Sequence, residues 1–141
     1  MLEAYAAARR HLGETLSAVE FLDRASMELV LEHLPGARDP LAAQRCAFYM
    51  LVELSGSSAA HDGEKLHSYL EAAMGDGAVL DGTVAMDSAQ ADAIWAIRES
   101  IRRLKVPHCP GRGHRPICPP GARRLRPLPR TSERSLGVLG A

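Results

Sequence analysis

The chain has 141 residues, 46% of them apolar and only 4% aromatic, so there is room for one domain whose core rests on Leu, Val, Ile, Ala and Met. No apolar run approaches the roughly 20 residues of a membrane-spanning helix. No secretory signal is expected from the opening residues, and three cysteines without one suit free thiols better than a disulfide framework. The zero net charge hides a split: residues 1–105 carry ten Lys/Arg against sixteen Asp/Glu, whereas residues 106–141 carry seven Arg against Glu133 alone, with seven of the nine prolines.

Residues 1–12 read as a short helix with Leu2, Tyr5, Arg9 and Leu12 roughly on one side, interrupted by Gly13. Leu16–Leu22 is short, apolar and partly alternating, which predicts a strand. Asp23 is placed to cap a helix whose stripe is Met27, Val30, Leu31 and Leu34, and Pro35-Gly36 stops it. Cys46–Leu54 is an almost unbroken apolar run, as a strand covered on both faces requires, and Cys46 should act as a small core residue. Asp62 is expected to cap the next helix, striped by Leu66, Tyr69, Leu70, Ala73 and Met74. Ala78–Met86, interrupted by Asp81-Gly82, is a third strand candidate. Asp87 or Ser88 then caps a last helix carrying Ile94, Ile97, Ile101 and Leu104.

The order of a helix followed by β-α-β-α-β-α predicts an α+β domain over residues 1–105, a ferredoxin-like partial sheet with helices. Past Val106 the periodicity stops, and the prolines remove backbone donors and forbid helix. Residues 106–141 are expected to be a disordered Pro/Arg-rich tail.

Few residues point to chemistry by spacing alone. Ser55-Gly56-Ser57-Ser58 lies between a strand and a helix, where a phosphate can be held, but without a Gly-x-Gly-x-x-Gly or Lys-Ser/Thr pattern it reads as a plain turn. His61 and His67 are out of helical register for a shared metal, and His11 and His33 are isolated. His108, Cys109, His114 and Cys118 lack the paired spacings of a zinc site. Glu53, Asp62, Glu64, Asp81 and Asp87 suggest no acid/base dyad and read as caps and surface charge. The basic tail has no aromatic residue for stacking on bases, so no nucleic-acid partner is expected.

A string of local phrases is more specific. They are LGETLSAVEFLD (12–23), VELSGS (52–57), HDGEKL (61–66), DGTVAMD (81–87) and IWAIRESI (94–101). In this order and spacing they resemble the C-terminal, substrate-side domain of the FAD-linked oxidases that act on D-2-hydroxy acids, over about residues 10–102. The resemblance implies a fragment of an FAD-dependent dehydrogenase that oxidises a small 2-hydroxy acid to the 2-oxo acid by hydride transfer to flavin. It further implies electron-transfer flavoprotein as acceptor and a mitochondrial setting. The flavin would be bound mainly by another domain. Zinc in the family is held by a Gly-His-x-Gly-Asp-Gly-Asn-x-His segment and a later glutamate, phrases that do not occur here. One site residue carries across: the arginine of Trp-x-x-Arg-Glu, a substrate-carboxylate ligand in the family, falls on Arg98. No catalytic, flavin-contacting or metal-ligating position does.

The family pattern often has a hydroxyl or proline near position 102, where this chain has Arg102, and it breaks after Ile101. A shift of reading frame or a misplaced exon boundary would produce such a break, and the transcript across codons 101–110 tests it. The expectation is that the chain alone is inactive. The alternative reading is a non-catalytic ferredoxin-like binding module with a basic tail.

Overall fold

A computed structural model describes residues 2–104 and 135–141. Helix α1 (Leu2–Leu12) leads through a 3-10 turn (Gly13–Thr15) into β1 (Leu16–Asp23). Then follow α2 (Arg24–His33), β2 (Phe48–Leu54), α3 (Ala59–Gly75), β3 (Asp81–Val84), α4 (Ser88–Leu104) and β4 (Ser135–Gly140). The strands form one sheet in the order β1-β2-β4-β3, with every neighbouring pair antiparallel. β2 and β3 therefore run parallel to each other with β4 between them, the split β-α-β of ferredoxin-like folds. This is the α+β arrangement expected from the alternation of patterns.

The period of two along β2 sorts its side chains between two helical layers. Met50, Val52 and Leu54 face α1 and α3, packing with Ala4, Ala8, Leu12, Leu66, Tyr69 and Leu70. Tyr49 and Leu51 face α2 and α4, packing with Met27, Val30, Ile94 and Ile97. Covered on both sides, β2 is apolar at every position but Glu53. Cys46 is fully buried against the second layer, as its apolar setting suggested.

Three expectations need correction. First, the tail is not without structure throughout. Ser135–Gly140 is an inner strand, with Leu136, Val138 and Leu139 buried. Its backbone pairs β2 from Tyr49↔Gly140 to Leu54↔Ser135 and β3 from Asp81↔Gly140 to Val84↔Gly137. Residues 105–134 lie outside the described residues. Second, Asp62 does not cap α3. Ser58 does, accepting from the His61 N–H, while buried Asp62 accepts the Gly56 N–H at 2.6 Å. Third, β3 starts only at Asp81. The Ala78 and Val79 N–H groups both donate to Ala73 O and close α3, and Gly77 takes the left-handed φ of 71° that ends it. The Asp81-Gly82 pair belongs to the strand, since Gly82 leaves room for Leu70 where a Cβ would collide with it.

Candidate functional site

Arg98 occupies the shoulder of α4 beside the buried Ile94 and Ile97. It reaches across to the edge strand β1, where the alternation that buries Leu22 puts Glu20 on the same face. Arg98 Nη2 donates to Glu20 Oε1 at 2.8 Å, with both side chains about one-third exposed (30% and 35%). Glu20 is the only hydrogen-bonding partner of Arg98 among the described residues. The pair lies in a shallow depression of about 210 Å3, bounded also by Phe21, Leu22, Ile101 and Arg102. Sites for drug-sized ligands run to roughly 300–1,000 Å3, and this depression is smaller.

A larger cavity lies elsewhere. About 650 Å3 opens between the start of α3, the end of β3 and the start of α4, lined in part by Glu53, Met86, Asp87, Asp92, Trp95 and Ser135. Its three carboxylates, Glu53, Asp87 and Asp92, disfavour an anion by Coulomb repulsion. Glu53 was read as surface charge, yet it is 6% exposed and its Oε2 accepts the Ser17 hydroxyl at 3.1 Å. The signal was present in the sequence, because Glu53 shares its parity with Tyr49 and Leu51 on a strand buried on both faces.

The remaining candidates fall into structural roles. In the Ser55–Ser58 turn the Gly56 N–H is already taken by the Asp62 carboxylate, and a Cβ on Gly56 would strike that same group. A buried carboxylate there opposes phosphate. His33 Nδ1 lies 2.9 Å from Leu29 O, and His11 is tilted against the Tyr69 ring at 6.1 Å. Asp81 Oδ1 accepts the Gly82 N–H, and Asp87 Oδ1 accepts the Gln90 N–H as the cap of α4. His108, Cys109, His114 and Cys118 lie outside the described residues. Among the described residues no three His, Cys, Asp or Glu side chains converge as a metal-ligand set.

One polar cluster was not foreseen. Tyr49, fully buried at the start of β2, donates to Asp39 Oδ2 at 2.8 Å. Arg24 Nη1 donates to the same oxygen at 2.8 Å and also contacts the Tyr49 hydroxyl. Burial first, and the neighbouring Asp39 second, push the Tyr49 phenol up to about 12. Burial alone does the same to Tyr69, whose hydroxyl donates to Ala4 O at 2.8 Å. The Tyr49 cluster ties the loop of residues 34–47 to the sheet. The binding of Asp39 to Leu41 N at 2.9 Å shows that its role is to shape that loop.

The family model described as "FAD linked oxidases, C-terminal domain" matches residues 1–115, and the chain belongs to that family. Among its relatives, D-2-hydroxyglutarate dehydrogenase, mitochondrial, of Arabidopsis thaliana is 49% identical over 94 residues, 67% of this chain and 17% of that protein. The protein of the same name from Danio rerio is 44% identical over 101 residues, 72% of this chain and 18% of its own length. A D-2-hydroxyglutarate–pyruvate transhydrogenase of Saccharomyces cerevisiae is 40% identical over 94 residues, covering 67% and 19%. The chain thus spans under a fifth of the length of these relatives.

Proposed function

We propose that this chain is a substrate-side segment of an FAD-dependent D-2-hydroxy acid dehydrogenase of the D-2-hydroxyglutarate type, in which Arg98 binds the substrate carboxylate. The reading is carried by one observation: Arg98 already holds a carboxylate, that of Glu20, at the wall of an open depression. One N–H of the guanidinium fork serves Glu20, and the others remain available for the bidentate grip that arginine offers an acid. Bound FAD supplies the hydride acceptor in such an enzyme. The resemblance adds electron-transfer flavoprotein as the onward acceptor, and the printed names of the relatives add a mitochondrial setting. Since the resemblance implies that the flavin is bound mainly by another domain, the chain alone is proposed to be inactive.

The test is calorimetric titration of the purified chain with D-2-hydroxyglutarate. Binding should weaken by about ten- to a hundred-fold in Arg98→Gln, the loss of one charged hydrogen-bonded contact, while the melting curve is retained. Equal affinity in the two proteins removes the substrate role. A visible spectrum with a stoichiometric flavin band, or turnover with an artificial acceptor, removes the inactivity. The continuous four-stranded sheet also favours the second reading, a self-standing binding module. That reading predicts the same cooperative melt but no acid binding dependent on Arg98.

A further inference from the structure

Among the described residues β1 is hydrogen-bonded along one side only, to β2. Its other side presents a row of backbone N–H and C=O groups in the pattern that a further extended strand completes. Apolar surface gathers beside that edge. Phe21 and Phe48 are half-exposed (51% and 52%) and, with exposed Leu2, wall an almost wholly apolar depression of about 340 Å3. Phe21 lies opposite Met50 and Phe48 opposite Asp23, so both rings stand on the face of the sheet where Met50 meets α1. The Tyr5 ring of α1 touches Phe21 edge-on at 6.0 Å. We infer that β1 is a docking edge for a second copy of this chain, paired antiparallel about a two-fold axis at Phe21. The strand is complementary to itself in that register. Opposed residues of an antiparallel pair point to one face, so Phe21 meets the partner's Phe21 and Glu20 meets the partner's Leu22. An axis at Glu20 would set two carboxylates directly opposite, which is unfavourable, and an axis at Val19 would set Phe21 against Ser17. The available area points the same way. The four half-exposed phenylalanines of two copies offer about 400 Å2, to which Leu2 and the strand edges add. Contacts below about 1,200 Å2 associate weakly and reversibly. A two-fold contact uses the edge of both copies and closes at two.

The test is sedimentation velocity of the full chain as a function of concentration. The apparent mass should rise from one chain to two between about 10 μM and 1 mM, the range of a small interface, and go no higher. Phe21→Lys sets two like charges at the axis and should hold the chain monomeric throughout that range with its melting curve retained. Cross-linking then reads the register. In a background of Cys109→Ser and Cys118→Ser, with Cys46 buried, Phe21→Cys should give a disulfide-linked dimer on mild oxidation. Opposed Cα atoms of an antiparallel pair lie about 4.5–5.5 Å apart, within the reach of a disulfide. Ser17→Cys, four residues from the axis, should not cross-link in the same background. A wild-type chain that stays monomeric at about 1 mM overturns the proposal. So does a dimer that Phe21→Lys leaves intact, or one that links as readily through Ser17→Cys as through Phe21→Cys.

Discussion

At the scale of single residues, the pairing of Glu20 with Arg98 has a measurable consequence. Glu20 occupies part of the guanidinium that the proposed acid ligand would use, and a partly exposed ion pair is worth roughly 0.2–1 kcal/mol. Glu20→Gln keeps an acceptor but removes the competing charge, so acid affinity measured by calorimetry should rise by about two- to five-fold. A fall would mean that Glu20 mainly holds Arg98 in place. Tyr49 gives a second test. Its folded pKa, about 12, lies above the ordinary value of 10, so its contribution to stability is complete below 10 and disappears as pH rises toward 12. Tyr69 acts in the same direction. The melting temperature followed by circular dichroism should fall between these values, and less steeply in Tyr49→Phe; a flat profile would contradict the burial. In the sequence Arg98 and Glu20 lie within local phrases and Tyr69 on a helical stripe, but no spacing there pairs Glu20 with Arg98. Asp39, Arg24 and Tyr49 are brought together by a loop with no periodicity, and nothing in their spacing announces it.

At the scale of elements, a small set of glycines decides how closely the layers approach. A Cβ on Gly140 would run into Cys46 Sγ, and one on Gly137 would meet Leu66 at 3.2–3.4 Å. Gly140→Ala should therefore destabilise the fold by about 1–3 kcal/mol, the cost of overpacking. Adding Cys46→Ala should recover part of the loss in a double-mutant cycle of chemical denaturation, because the residue 46 Cβ and Leu41 Cδ1 would still lie within 2.9 Å of the added Cβ. Additive effects would show that the thiol is not the obstacle. α2, β2 and α4 could be read from the sequence because each carries a long, regular pattern of its own: an Asp23 cap that accepts the Ser26 N–H at 2.8 Å, an unbroken apolar run, and isoleucines at helical spacing. β4 could not. Its run Leu136-Gly137-Val138-Leu139-Gly140 is short, holds one β-branched residue and two glycines, and lies behind a proline-rich stretch. Its glycines weaken strand propensity in isolation yet are what the neighbouring Leu66 and Cys46 require.

At the scale of the whole molecule, the sheet depends on residues far along the chain. β2 and β3 touch β4 and not each other, so removing 135–141 should split the sheet, expose Leu54 and Leu66, and abolish a cooperative melt. A truncated chain that still melts sharply would refute this. At the opposite side β1 is an eight-residue edge with Phe21 and Phe48 about half exposed beside Leu2. Such an edge invites pairing between chains, and Phe21→Lys should raise the concentration at which light scattering appears. The arrangement of β4 also bears on how the protein is made. Tyr49 waits for Gly140 and Asp81 waits for the same residue, so neither strand has its inner partner until synthesis has passed position 140. Pairings of such long sequence separation form slowly. A nascent chain stalled on the ribosome short of that point presents the apolar β2 with one edge unpaired.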